Sequence, residues 1–433
     1  MAQPHMRTFV AISFLLLSNV ASAENPRVHG YRFGDGLTVS REGRYRLNLS
    51  GYVQPSLEVQ DYLGSGPEGL NPRFRLRRLR LRLVGDAPQQ KLSFRLHVDL
   101  SGSSEVGDEA SNFLLDAFVA FRPTRTLRIV FGQRTTYTDN RELFIRSHAL
   151  QFVERSRVTS AFSAIREVGL FVDDRIRIGE TSHYLRPYLV ITNGDGPNTF
   201  SADHGGLKFG GRVDYLPFGL FYDRGQFREV DLVRELVPRL VVGVAYSYNF
   251  GVSSRRGRGS GEIIYLNDQG EESLPDFGKF GLDFMFKYRG FSILGEFNWT
   301  HARVPDDITQ RVRNDGSIAT TFTGGVDAFV RGRMMLGRGY NLQLGYIFDS
   351  DTSVDLRYTH LDADENSFLN NGTFYNRPNY YTLGLSQYFT NRYGFKVQAS
   401  LTFVDTNPGT NDFFSQPTDG DELIGRFMST LAF

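Results

Sequence analysis

The sequence predicts an all-β protein, a transmembrane antiparallel β-barrel of 16 strands with an inward-folded third loop. Three observations point there. Long runs alternate apolar and polar side chains with period two, the signature of strands with one apolar and one wet face. Beyond the N-terminus no apolar stretch approaches helical spanning length, and only helices or closed barrels can pair all their backbone groups in hydrocarbon. The chain holds 37 Phe, 21 Tyr and 45 Gly, yet its mean hydropathy is only −0.31. An apolar outer wall around a wet lumen reconciles the two. A soluble β-sandwich is the alternative on composition alone.

The N-terminus reads as a targeting segment. Arg7 supplies charge, Phe9 to Leu17 form a short apolar run, and Ala21-Ser22-Ala23 is a small-x-small cleavage site. Residues 1–23 are therefore expected to be a cleaved signal peptide, with 24–43 a short periplasmic lead-in and 44–433 the barrel. There is no cysteine, which rules out disulfides and thiolate metal sites.

The first strand is clear. Tyr45, Leu47, Leu49, Val53, Leu57 and Val59 share one face between Arg44 and Val59, against Arg46, Asn48, Ser50, Gln54, Ser56 and Glu58. Leu92 to Leu100, Leu240 to Phe250, Phe280 to Tyr288, Phe291 to Thr300, Tyr381 to Phe389 and Phe395 to Phe403 repeat the pattern. Runs start near residues 44, 76, 91, 112, 126, 167, 182, 207, 239, 279, 291, 321, 340, 353, 379, 394 and 422. Bacterial single-chain barrels have even strand numbers. The run Thr321 to Arg331 alternates poorly and is assigned to a long outer loop.

Short connections fall at Gly85–Gln90, Pro123–Arg125, Gly179–Thr181, Arg289–Gly290, Asp349–Thr352 and Asn391–Arg392. Longer ones, rich in Gly, Asp, Asn and Ser, lie between them, as periplasmic turns and outer loops do in such barrels. Arg134 to Arg166 differs. It holds Phe144, Ile145, Leu150, Phe152, Val153 and Phe162, and a loop with its own apolar residues should pack against something. Segment 134–166 is the expected constriction loop. The last strand alternates from Glu422 to Phe433, and its terminal aromatic is expected to be the contact read by the barrel-assembly machinery.

Only five of the 49 basic residues are lysines: Lys91, Lys208, Lys279, Lys287 and Lys396. Arginine favours bidentate contact with carboxylate and phosphate oxygens, although GC-rich coding also raises its frequency. The densest cluster is Arg73 to Leu83. Leu79, Leu81 and Leu83 share one face; Arg78, Arg80 and Arg82 share the other. The phase slips at Arg77/Arg78, which predicts a bulge. Arginine facing lipid costs ~2–4 kcal/mol at the midplane, so these side chains should face the lumen. There they serve anions, or are neutralised by lumen acids such as Glu58, Asp99 and Asp116.

These residues resemble the phosphate-selective porin O and P family. The resemblance runs through Asp35-Gly36-Leu37-Thr38-Val39, the strand Arg44 to Gln54, Leu76-Arg77-Arg78-Leu79-Arg80-Leu81, Gly85, and Phe94 to Leu100. It continues through Phe131-Gly132-Gln133, Glu154-Arg155, Gly169, Thr192 to Gly196, Gly339 to Phe348, and Asp355 to Tyr358. It implies a 16-stranded homotrimer whose third loop narrows the pore, with a basic ladder leading to a central anion site. There a second-strand arginine pair, matched by Arg77 and Arg78, meets a third-loop lysine. Segment 134–166 has no lysine; it has Arg134, Arg141, Arg146, Arg155, Arg157 and Arg166 against Asp139, Glu142 and Glu154.

Other chemistry lacks support. Ser93, His97 and Asp99 share a face but cannot form a catalytic relay along one strand. The histidines have no metal spacing. Arg255 to Gly261 lacks a Walker lysine and helix and reads as a mobile, solvated surface loop; nucleic acid or lipopolysaccharide is the alternative reading, and no nucleic-acid partner is expected. Neither cofactor nor enzyme activity is expected. The expected function is passive diffusion of small anions, phosphate favoured, through an outer-membrane channel. Arg77, Arg78, Arg80 and Arg82 are the expected anion site. The alternatives are a weakly selective general or sugar porin, or a structural barrel closed by its loops.

Overall fold

The computed structural model describes residues 27–42, 44–64, 70–87, 91–103, 113–197, 204–255, 263–370, 376–389, 392–412, 416–418 and 420–433. Segment 1–23, expected to be a signal peptide, lies outside them.

Sixteen antiparallel strands close on themselves. They are β1 (Tyr45–Tyr62), β2 (Asn71–Ala87), β3 (Leu92–Asp99), β4 (Leu114–Phe121), β5 (Arg128–Thr135), β6 (Arg166–Asp173), β7 (Tyr184–Thr192) and β8 (Lys208–Leu216). Then follow β9 (Arg239–Asn249), β10 (Asp276–Tyr288), β11 (Phe291–Arg303), β12 (Gly337–Ile347), β13 (Thr352–Ala363), β14 (Asn379–Tyr388), β15 (Phe395–Asp405) and β16 (Glu422–Ala432). Each pairs with its sequence neighbour, and β16 returns to β1 in a register that sets Phe427 opposite Leu57. Alternation sets the two faces. Along β12 burial alternates strictly, with Tyr340, Leu342, Leu344 and Tyr346 outward and Asn341 and Gln343 inward.

The rejected run near 321 contains no barrel strand. Its second half forms a short helix, α2 (Val326–Arg331), in the connection between β11 and β12. Two short antiparallel pairings nearby join Tyr265–Leu266 to Gln310–Val312, and that to Ile318–Ala319. The lead-in is a hairpin, Arg27–Arg32 with Gly36–Arg41. Its second arm pairs with β1 from Leu37↔Leu49 to Arg41↔Tyr45.

The β1–β2 ladder slips between Gln54↔Arg78 and Pro55↔Leu76, leaving Arg77 as the extra residue. That bulge keeps leucines outward on both sides of the slip and turns both Arg77 and Arg78 inward.

One connection breaks the length rule. Residues 217–238 join β8 to β9 at the short-turn end, yet the segment is long and carries a 3₁₀ turn at Tyr222–Phe227. It folds up into the barrel. Phe221, Val230 and Leu232 pack with Ile145 and Leu150 of the third loop and with Met285, Leu294, Tyr388 and Tyr393 of the wall. An apolar cluster thus fills part of the lumen.

Candidate functional site

The third loop runs from 136 to 165. Arg134 and Arg166, expected within it, lie instead on β5 and β6. The loop makes two 3₁₀ turns, Arg141–Phe144 and Ser147–Ala149, then α1 (Arg157–Phe162). Ser156 caps α1 by accepting from the Thr159 N–H, as N-cap serines do. The Glu142 carboxylate accepts from the Ser156 N–H at 2.9 Å and from the Ser156 hydroxyl at 3.0 Å, and so clasps the loop upon itself.

Buried polar contacts bolt this loop to the far wall. Arg141 donates to Asp214 at 2.8 Å and to Asp283 at 2.7 Å, and Arg212 brackets the same two carboxylates at 2.8 and 2.6 Å. The Glu142 N–H donates to Glu296 at 2.7 Å. Gln151 donates to Asp355 at 2.5 Å, and Lys396 to the Leu150 carbonyl at 2.6 Å. Lys279 pairs with Asp139. The scarce lysines Lys208, Lys279, Lys287 and Lys396 are all buried and serve as internal anchors. The wall thus sends two lysines to the loop: Lys279, whose charge is met by Asp139, and Lys396, which meets a backbone carbonyl.

Opposite lies the arginine strand. Arg77 clasps Glu154 of the loop through Nε at 2.5 Å and Nη2 at 3.1 Å. Arg78, fully buried, donates to Glu154 at 2.8 Å and to Gln54 at 3.2 Å. Burial alone would raise the Glu154 pKa, but Arg77 and then Arg78 outweigh it and hold the carboxyl well below its ordinary range. Arg80 pairs with Asp99 at 2.7 Å and donates to Ser147 at 3.1 Å. Three of the four arginines singled out on this strand therefore spend charge on carboxylates. Of the acids expected to neutralise them, Asp99 does so. Glu58 instead serves Arg75 and Arg426, at 3.0 and 2.6 Å.

One step down the strand the balance changes. Arg82 donates to the Ser50 hydroxyl at 3.0 Å, and it makes no ion pair among the described residues. The same holds for Arg128, over the Phe118 ring, and for Arg146, which is solvent-exposed although the barrel surrounds it. Burial within the barrel, then Arg82 and Arg95, push the Arg146 pKa down, as expected where cations face one another. Nearby Asp116 must serve Arg95 at 3.3 Å and Arg166 at 3.0 Å, and lies 3.5 Å from His97. Guanidiniums outnumber carboxylates here.

The other loop arginines are structural by contact. Arg155 donates to the carbonyls of Glu142 and Ile145 at 2.8 and 2.9 Å. Arg157 opens α1, close enough to Tyr380 to influence its hydroxyl. Arg134 lies over the Tyr137 ring at 4.3 Å. Phe433 exchanges backbone hydrogen bonds with Gly51 at 2.7 and 2.8 Å. Its ring sits so close that a Cβ on Gly51 would come within 2.8 Å. Sequence reasoning missed Arg95 and Arg128 as site residues, on the inward faces of β3 and β5. Their alternation was visible, but not that Arg95 must share Asp116 with Arg166, nor that Arg128 makes no ion pair among the described residues.

The fold is a closed 16-stranded antiparallel barrel with a loop folded into its lumen. Residues 48–178, which span β1 to the start of the β6–β7 connection, match the family model described as phosphate-selective porin O and P. The sequence has no match among curated proteins. Among solved structures, the outer membrane channel DcaP of Acinetobacter baumannii aligns with TM-score 0.50 at 12% identity, over 91% of this chain and 99% of that one. OmpT of Vibrio cholerae, in a trimer form, gives 0.49 at 9% identity, over 90% and 100%. Salmonella typhi OmpF, in complex with daunomycin, gives 0.49 at 12% identity, over 91% and 100%. At these identities the likeness is one of fold.

Proposed function

We propose that the protein is a homotrimeric porin for passive diffusion of small anions, phosphate-like oxyanions favoured. Its selective surface is Arg82, Arg95, Arg128 and Arg146 rather than the Arg77–Arg78 pair. The observation that carries this is the excess of guanidinium over carboxylate beneath the third loop. A desolvating oxyanion gains charge-assisted hydrogen bonds worth roughly 1.5–3 kcal/mol each, while neighbouring arginines offer the next step so that it is not trapped. Arg77 and Arg78, already satisfied by Glu154, act as a clamp that sets the loop's distance from β2.

Planar-bilayer recording tests this. Arg82→Ala with Arg146→Ala should shift the reversal potential toward zero and reduce block of chloride current by phosphate. Arg77→Ala with Arg78→Ala should instead alter conductance and noise as the loop loosens. If only the Arg77/Arg78 variant loses phosphate block, the selective surface lies where the sequence first placed it. A second reading, a barrel closed by its insertions, is favoured by the apolar cluster of Leu150, Phe221, Val230 and Leu232 in the lumen. It predicts no wild-type conductance at all.

A further inference from the structure

The long-loop end carries a second cationic site away from the barrel wall. The short strands Tyr265–Leu266 and Gln310–Val312 place Tyr265 across from Arg311. Helix α2 and the residues after it bring Phe329 and Arg333 alongside. Between them lies a half-open cavity of about 480 Å³, within the range of small-molecule sites. Among the described residues four arginines line it, Arg255, Arg311, Arg313 and Arg333, with one carboxylate, Asp315. Asp315 is engaged by Ser317, through its N–H at 2.9 Å and its hydroxyl at 2.6 Å.

Two features mark this as more than a solvated groove. Arg311 and Arg333 lie over the same Phe329 ring, at 4.7 and 4.8 Å, and neither makes an ion pair among the described residues. Two cations held at one ring repel unless an anion joins them. Tyr265 is 2% exposed, and its hydroxyl has no hydrogen-bond partner among the described residues. A buried hydroxyl without a partner is uncommon and costly, and Tyr265 is one of the residues around the cavity, beside the arginines. Ile263, Ile264 and Phe329 supply apolar surface on the same lining.

We propose that this cavity binds a phosphate monoester on an apolar or ring-bearing body. The guanidiniums of Arg311 and Arg333 and the Tyr265 hydroxyl take the phosphate oxygens, and Phe329 and the isoleucines meet the body. Two sources share this chemistry: a soluble organic phosphate outside the cell, or a phosphate of neighbouring lipopolysaccharide. The site stands whether or not the lumen reading holds.

The test is calorimetric titration of the full chain, purified in detergent, with 4-nitrophenyl phosphate. Wild type should bind one equivalent at this site. Arg311→Gln with Arg333→Gln should weaken it at least tenfold, and Tyr265→Phe severalfold. Arg82→Ala with Arg146→Ala should leave the isotherm of this site unchanged, which separates it from any lumen binding. If the glutamine variant does not fold, Arg311→Lys with Arg333→Lys keeps the charge, and loss of the paired fork should still cost severalfold. Competition by lipid A in mixed micelles but not by glycerol phosphate assigns the lipid source, and the converse the soluble one. An absent wild-type isotherm, or identical titration of wild type and folded variants, overturns the proposal.

Discussion

Two segments enter this barrel from opposite ends, and they are held by different physics. The third loop, from the long-loop end, is fixed by directional contacts: Arg141 between Asp214 and Asp283, Gln151 on Asp355, and Glu154 between Arg77 and Arg78. Segment 217–238, from the short-turn end, relies mainly on apolar packing of Phe221, Val230 and Leu232. Its polar ties are fewer; they include Lys287 donating to the carbonyls of Gly225 and Val230 at 3.0 and 2.9 Å, Tyr393 donating to Val230 at 2.5 Å, Glu229 bridging to Gln151 and Ala149, the Gly290 N–H donating to Asp231 at 2.8 Å, and Arg234 pairing with Asp349 at 2.9 Å. Directional bonds fix a position to a fraction of an ångström; apolar contact tolerates sliding. The contrast suits the upper insertion to shaping a pore and the lower one to filling space beneath it.

The largest expected effect comes from breaking a directional anchor. Arg141→Met strands two buried aspartates on one remaining arginine, Arg212, and should cost about 3–5 kcal/mol of loop docking. Limited proteolysis of the assembled barrel should then cut within 136–165, and channel noise should rise. A loop as resistant as wild type would mean that the apolar contacts, not the ion cluster, hold it. Next comes Leu232→Ala. It should cost about 2–4 kcal/mol, expose 217–238 to protease, and leave 136–165 protected. Cleavage of both segments together would show that they dock as one unit.

The smallest effect is a pH dependence at Glu229, where the lower insertion meets the third loop. Burial first, then the nearby Glu142 carboxylate, raise the Glu229 pKa to about 7, against the Gln151 N–H that lowers it. A raised carboxyl favours its protonated form in the docked state. Its contribution is therefore full below the ordinary carboxyl range and is lost as pH rises through about 7. Protease sensitivity of 217–238 should increase between pH 5 and pH 8, and Glu229→Gln should flatten that profile. An equal slope in the variant would place the titration on another group.

The contrast also marks what could be read from the sequence. Strand alternation is local, so period two gave sixteen strands, the spurious run near 321 and the bulge at Arg77 without any partner being known. The apolar residues of 136–165 were equally visible. Leu220, Phe221, Val230, Leu232 and Val233 carry the same kind of signal in 217–238, but their place at the short-turn end masked it. Charge compensation was not legible. Glu154 lies 77 residues from Arg77, and Arg141 lies 142 from Asp283; such cross-lumen pairs leave no periodic trace. The chemistry of Arg82 and Arg146 depends on which carboxylates fail to reach them, which only the closed barrel reveals.

The lead-in hairpin has a consequence for how the barrel wall ends. β16 pairs with β1 only as far as Tyr52, and Phe433 reaches Gly51. Below that point residues 45–49 of β1 would present bare amide and carbonyl groups on one side. The hairpin's second arm fills that gap, pairing Leu37 to Arg41 with Leu49 to Tyr45. An uncovered strand margin is a template for any extended chain that meets it. The wall is thus sealed at its seam by a tailored splice, which denies passing unfolded polypeptides a place to nucleate a sheet.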